Sequence, residues 1–267
     1  MEKTVVDEII SEYSDGVLRI ELNRPEKLNA MTSGMYLKLA DVFYSAASDD
    51  RIRAVLWHGA GDAFCAGNDL KDFLEHPPGP GVSPQARLMD ALLDFDKPLV
   101  AAVHGVAIGG GTTMLLHCDF VYAAEKTRFQ TPFVNLAVVP EFGSSYLLPL
   151  SIGHIRASDV ILLGSPFDVG RAVELGLVTQ VVPDYQALLN IATETAKHLA
   201  AQPAGALQAS KRLMKHPFVE QTRAAMKAEN EAFSLQVHSP ESKEALTAFL
   251  EKRPADFSKI GKAAVAT

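Results

Sequence analysis

An apolar run over residues 98–106 closes on Ile108-Gly109-Gly110-Gly111 and continues through residues 112–116. Few architectures accept that order. An aliphatic strand must end in a turn without side chains and pass directly into a helix, which crowds free N–H groups at one helix start. A dinucleotide-binding fingerprint is excluded, because its third glycine would fall at Met114; a phosphate-binding loop is excluded too, because no Gly-Lys-Ser/Thr follows. What the segment offers is a positive site for an anion or a developing oxyanion.

Strand and helix signals alternate around it. Residues 17–22 have rough period-two alternation and stop at Asn23-Arg24-Pro25. Thr32 or Ser33 then caps a helix through Met35, Leu39, Val42, Phe43 and Ala46, spaced for one buried face. Residues 54–57 read as a buried strand turned by Gly59-Ala60-Gly61, and residues 120–123 and 178–182 as further strands. Asp168 caps a helix ending at Gly176. From 185 to 250 the pattern is helical, broken at Pro203, Pro217 and Pro240, and residues 76–81 are composed like a mobile surface loop. This order predicts an α/β core over residues 1–200 and a helical C-terminal extension over 201–267, both parts of one functional unit.

Composition narrows the function classes. With 48% hydrophobic residues the chain can build a sizeable core, and 25 basic against 32 acidic residues give a net charge of −7. That balance lacks the electrostatic footprint for nucleic acid. No apolar run approaches the roughly 18 residues of a membrane span. Cys65 and Cys118 cannot build a disulfide scaffold, and neither lies in a metal-binding pattern. The first residues carry acids where a secretory leader needs basic and then apolar residues, and the last four, Ala-Val-Ala-Thr, are not a peroxisomal address. A soluble, reducing, cytoplasmic setting without metal or redox cofactor is expected.

A second glycine-bearing turn, Phe64-Cys65-Ala66-Gly67-Asn68-Asp69-Leu70, also follows a strand, with Asp69 placed to cap the next helix. Its spacing alone favours an ordinary strand-to-helix turn. If the two turns converge, they offer two N–H donors to one carbonyl oxygen.

Together these segments carry a family resemblance. Asn23-Arg24-Pro25 with Leu28-Asn29-Ala30, then 64–70, the glycine segment 105–111, Cys118-Asp119 and Leu175-Gly176-Leu177-Val178 resemble, in order and over essentially the whole chain, the crotonase (enoyl-CoA hydratase/isomerase) superfamily. The resemblance implies a crotonase-like spiral of ββα repeats with a helical C-terminal region that mediates trimer contacts, as a homotrimer or a dimer of trimers. It implies an acyl-CoA thioester substrate, coenzyme A being part of that substrate. The oxyanion donors by position are the N–H groups of Asn68 and Gly110. Ala66, Gly67, Asp69, Leu70, Leu28 and Phe133 are implied in substrate binding, with Arg24, Lys27 and Lys259 as cations for CoA. Lys252 and Arg253 could reach its phosphates from the C-terminal region.

The acids discriminate among reactions. Hydratases of the family carry two glutamates, one just after the triple glycine and one directly after the proline that follows the third strand; here Thr113 and Phe133 stand there. One acid remains in Leu136-Ala137-Val138-Val139-Pro140-Glu141-Phe142-Gly143, a run similar to the peroxisomal-type Δ3,Δ2-enoyl-CoA isomerases and their bacterial relatives. There Glu141 is the implied catalytic residue. The chemistry is sound independently: one carboxylate over a planar dienolate can remove a proton at C2 and return it at C4. Phe133, Val139 and Phe142 would desolvate it and raise its basicity. Its plain alternative is a cap or ion pair on a surface loop. Ser144 and Ser145 are expected to cap the following helix, His104 and His117 to be satisfied structural histidines, and the cysteines to be inert packing. Another CoA-thioester reaction, hydration included, and acyl-CoA binding without turnover are the rival readings.

Overall fold

The chain is described by a computed structural model that covers residues 7–75 and 82–260; the segment 76–81 read as a surface loop lies outside the described residues. Two strands open it, β1 (Ile9–Ser14) and β2 (Val17–Leu22), paired antiparallel across Asp15-Gly16. Both turn residues have positive φ, 51° and 81°, as a two-residue hairpin turn requires. Sequence alternation had suggested only the second strand.

From β2 onward all pairing in the main sheet is parallel. The order is β1-β2-β3-β4-β6-β9, with β3 at Ala54–Gly59, β4 at Leu99–Val103, β6 at Phe120–Ala124 and β9 at Gln180–Val182. A second, three-stranded sheet runs β5 (Val106–Ile108), β7 (Arg128–Gln130) and β8 (Phe167–Asp168). The parallel bridges Met31 to Asn68 and Cys65 to Ala107 extend this second layer. Each turn of the chain thus places one strand in the main sheet, one short extended piece in the second layer, and then helix. β2, Met31 and α1 (Ser33–Ser48) make one such turn; β3, Cys65 and α2 (Leu70–Glu75) with α3 (Pro84–Asp94) make the next. The following turn is β4, β5 and α4 (Gly110–Thr113). This is the crotonase-like α/β spiral.

The run over 98–106 is two strands, not one. Gly105, at φ +62°, turns the chain from one sheet into the other. A Cβ there would stand 1.8 Å from the Asp62 carbonyl oxygen, so only glycine fits.

Both faces of the central strands are covered, which is why β3 and β4 are buried throughout and carry no alternation. On one face α1 and α3 supply Tyr36, Leu39, Phe43, Leu88 and Leu92 to a core around Trp57. On the other lies α8 (Tyr185–Ala200), whose Leu188, Ala192, Ala196 and Ala200 recur every fourth residue and let its backbone settle on the sheet.

Between β7 and α8 lie α5 (Ser144–Ile152), α6 (His154–Ser158) and α7 (Val169–Glu174), the last capped by Asp168 as its sequence implied. Three helices follow, α9 (Ala204–Lys215), α10 (Val219–Gln236) and α11 (Pro240–Leu250), separated at the expected prolines. They fold back on the core. The Lys211 ammonium is buried 2.7 Å from Asp119 and 2.8 Å from the Lys97 carbonyl, and α10 packs across α3 and α5. Among the described residues no helix is long and apolar enough to cross a membrane.

Substituting Gly105→Ala should lower stability by about 2 kcal/mol or more, through both the left-handed backbone and the Asp62 clash. Urea denaturation with an unchanged midpoint would contradict this role for the turn.

Candidate active site

The spiral brings the two glycine turns together. Met31 donates to the Gly67 carbonyl at 2.7 Å and accepts from the Asp69 N–H at 2.9 Å. In that parallel pattern the intervening Asn68 N–H points away from the strand pairing. Gly67, at φ +86°, lies against the second turn: a Cβ on it would stand 2.7 Å from the Ile108 carbonyl oxygen. Gly110 opens α4, so its N–H has no intrahelical acceptor. The neighbouring Gly109 N–H is bonded to Gln130 at 2.9 Å.

One side chain connects the pair. The Tyr36 hydroxyl donates to Asn68 Oδ1 at 2.7 Å and would stand 3.2 Å from a Cβ on Gly110. Tyr36 is fully buried, and burial, with the Glu141 charge second, holds its phenol well above the ordinary range; it is a permanent donor. Sequence reasoning passed over Tyr36. The signal was its place on the buried face of α1, where a tyrosine hydroxyl needs a partner.

Glu141 enters from the loop before α5 and reaches the same point. Its Oε1 would lie 2.7 Å from a Cβ on Gly110, so glycine at this position leaves the space the carboxylate uses. The residue is 3% exposed, and Oε1 has no hydrogen-bond partner among the described residues. Burial first, and the nearby Glu229 second, push its carboxyl up to about 8. It is neither a surface cap nor half of an ion pair. Phe142 follows at φ +60°, a strained conformation for a bulky residue, and its carbonyl oxygen accepts from His117 Nε2 at 2.8 Å. His117 is lowered to about 4 by burial and is therefore a neutral donor with its proton on that nitrogen.

The expected apolar wall is present. Phe142 and Phe133 are buried, Phe142 Cε2 lies 3.5 Å from the Gly110 Cβ position and Phe133 Cε1 3.9 Å from that of Gly109. Leu70, Val139, Phe73 and Phe233 pack around Phe133. Thr113 is buried, its hydroxyl donating to the Gly109 carbonyl at 3.3 Å. Neither it nor Phe133 can replace a glutamate. A small pocket between α3 and α10, lined by Ala86, Met89, Asn230 and Phe233, opens onto Glu141.

The residues expected to meet CoA have different surroundings. Arg24 is not a free cation: its guanidinium bonds Asp69 at 2.7 Å, Glu8 at 3.1 Å and the Ala30 carbonyl at 2.9 Å, and is 16% exposed. Asp69 is correspondingly held by Arg24 and by the N–H groups of Lys71 and Asp72, which it caps. The two tie the first turn of the spiral to the second. Arg253 is paired with Glu244 at 2.6 Å and Glu251 at 2.7 Å. Lys27 and Leu28 are exposed beside the turn, Ala66 donates to the Leu28 carbonyl at 3.0 Å, and the Lys259 side chain lies outside the described ones.

The cap of α5 is also different. Ser144 and Ser145 do not supply it: Gly143 is the N-cap and the Ser144 hydroxyl is buried without a partner among the described residues. Instead Glu229 of α10 accepts the N–H groups of Gly143 and Ser145 at 2.7 and 2.8 Å. No local pattern marks an acid so far along the chain. Cys65 is a buried free thiol pushed up to about 12, the inert residue expected, and His104 is bonded to the Gly61 carbonyl.

Known proteins share this arrangement of chain. The family model described as enoyl-CoA hydratase/isomerase matches residues 12–260. The 1,2-epoxyphenylacetyl-CoA isomerase of Escherichia coli K12 is 36% identical over 94% of this chain and 98% of its own length. Human enoyl-CoA delta isomerase 2 is 33% identical over 94% of this chain, which spans 65% of that relative. The crystal structure of an enoyl-CoA hydratase/isomerase from Pseudoalteromonas atlantica T6c superposes with a TM-score of 0.89 at 40% identity, covering 94% of this chain and all of the other. The glycine turns, the spiral that joins them and these similarities place the chain in the enoyl-CoA hydratase/isomerase family.

Proposed function

We propose that the protein shifts the double bond of a 3-enoyl-CoA to the 2-enoyl position, with Glu141 as the only acid–base residue. The observation that carries this reading is the Glu141 carboxylate, buried, without a donor on Oε1 among the described residues, and packed against Gly110. The thioester oxygen lies between the N–H groups of Asn68 and Gly110. Glu141 takes a proton from C2; the C–H electron pair moves into a dienolate whose oxygen those two donors hold. The protonated carboxyl then delivers its proton to C4, and the electron pair returns to form the C2–C3 double bond. One carboxyl ends as it began.

Desolvation suits Glu141 to both halves of this cycle. A carboxyl near 8 is a stronger base than an ordinary glutamate and gives its proton back near neutral pH. Leu28, Ala66, Gly67, Leu70 and Phe133 would border the acyl-CoA, with Lys27 as an exposed cation next to Leu28. Hydration would need a second carboxylate to position water, and Thr113 and Phe133 supply none. A second reading, isomerisation of an epoxide- or ring-bearing acyl-CoA, has the Escherichia coli relative in its favour and would use the same donors and base.

With a 3-enoyl-CoA, Glu141→Gln should lower turnover by at least about 100-fold while the protein stays folded. Near wild-type turnover in the variant would remove Glu141 from the chemistry. A product assay should find 2-enoyl-CoA, and accumulation of 3-hydroxyacyl-CoA would favour hydration instead. Because only ionised Glu141 removes a proton, kcat/KM should rise with pH and level off above about 8. A profile already flat from about pH 6 would contradict a desolvated base.

A further inference from the structure

Two carboxylates are buried at one loop, and their surroundings are opposite. Glu229 is 6% exposed; its Oε2 accepts the Gly143 N–H at 2.7 Å and its Oε1 the Ser145 N–H at 2.8 Å. Glu141, two residues before Gly143, has no donor on Oε1 among the described residues. A carboxyl whose two oxygens both face fixed N–H groups is held as the anion, since protonating either oxygen would point a hydrogen at a donor. The donors concerned are the free N–H groups at the start of α5. With Glu229 on them, they are not available to Glu141, and the positive end of the helix is neutralised.

The geometry points to Glu229 as a positioning residue for Glu141: it stays ionised on the N-terminus of α5, fixes the Phe142-Gly143 turn, and leaves the exchangeable proton of the pair to Glu141. Its importance for catalysis rests on Glu141 being the base, whereas the division of charge does not. Like charges at close quarters cannot both ionise freely, so the carboxylate with the donors keeps its charge and raises the other.

Among the described residues, the remaining titratable groups that face Glu141 are the Tyr36 phenol of α1 and the Cys65 thiol, and burial keeps both neutral. Beyond Phe142 stands neutral His117, with Lys211 and Lys215 of α9 behind it. Facing Glu229, besides the backbone donors, is Ser145; burial raises the Glu229 carboxyl too, and the bonds from Ser145 and Gly143 oppose that rise. Glu141 has no such opposition. Burial lowers Lys215 to about 8, the range in which Glu141 titrates, so an activity profile alone would not separate the two.

The test therefore reads the carboxyl groups directly, by NMR of the full chain labelled with 13C at its glutamate carboxyls, without substrate. In the wild type one carboxyl should titrate near 8, and Glu141→Gln should abolish that titration. Glu229→Gln should move it down by at least about one unit. If folded Glu229→Gln leaves the Glu141 titration in place, the proposal is overturned. The Glu141→Gln protein provides an independent test should the Glu229 variant not fold. A carboxyl still titrating above about pH 7 in it would be Glu229, and would show the charges divided the other way. Since no turnover is measured, an inactive protein with the predicted titrations would reject the isomerase reading and leave this one standing.

Discussion

A buried carboxylate whose Oε1 has no partner among the described residues and packs against a glycine is the constraint around which this site is arranged. Leaving Oε1 of Glu141 buried and unpartnered opposes folding, because the ionised form has lost water and gained nothing on that oxygen. The surrounding structure over-determines it. Gly110 leaves the space, Phe133 and Phe142 exclude water, and His117 holds the strained Phe142 carbonyl. A group kept in that state is reactive toward the proton of a bound molecule.

The spiral supplies the electrostatic counterpart. Each turn crosses from the main sheet into the second layer, and the crossings stack Asn68 above the start of α4. Glycines stand where backbones touch: Gly67 against Ile108, Gly105 against Asp62, and Gly111 against the Cys65 carbonyl, where a Cβ would lie 2.4 Å away. Backbone N–H groups fixed by such close packing need no reorganisation when charge develops. Arg24 contributes to the same end, since its bonds to Glu8 and Asp69 tie together segments far apart in sequence.

Much of this was legible before the structure, for identifiable reasons. Glycine runs after apolar strands have few uses, so the triple-glycine turn stood out, whereas the second turn and Glu141 were singled out through the family resemblance. The hairpin of β1 and β2 was missed, because the exposed polar residues of β1 hid its strand although Asp15-Gly16 suits the turn. His104-Gly105 marked the break after the fourth strand, but the aliphatic residues on either side read as one run, because hydrophobicity does not report a change of sheet. Arg24 and Glu229 show the limit. The first is a cation in sequence but sits in an internal ion pair; the second is one of three glutamates on α10, 86 residues along the chain from the Gly143 it caps, and near only because α10 folds back. Ser144 and Ser145 had the right chemistry for a cap and lost it to that distant carboxylate.

In the proposed reaction Glu141 alone moves a proton from C2. Its most direct measurement is the loss of label from a 3-enoyl-CoA deuterated at C2, followed by NMR of the product in ordinary water. The wild type should give 2-enoyl-CoA that has lost one C2 deuterium, with C4 carrying either that deuterium or a solvent proton, and Glu141→Gln should suppress this loss. Label lost equally fast from the variant, or retained at C2 by the wild type, would contradict it.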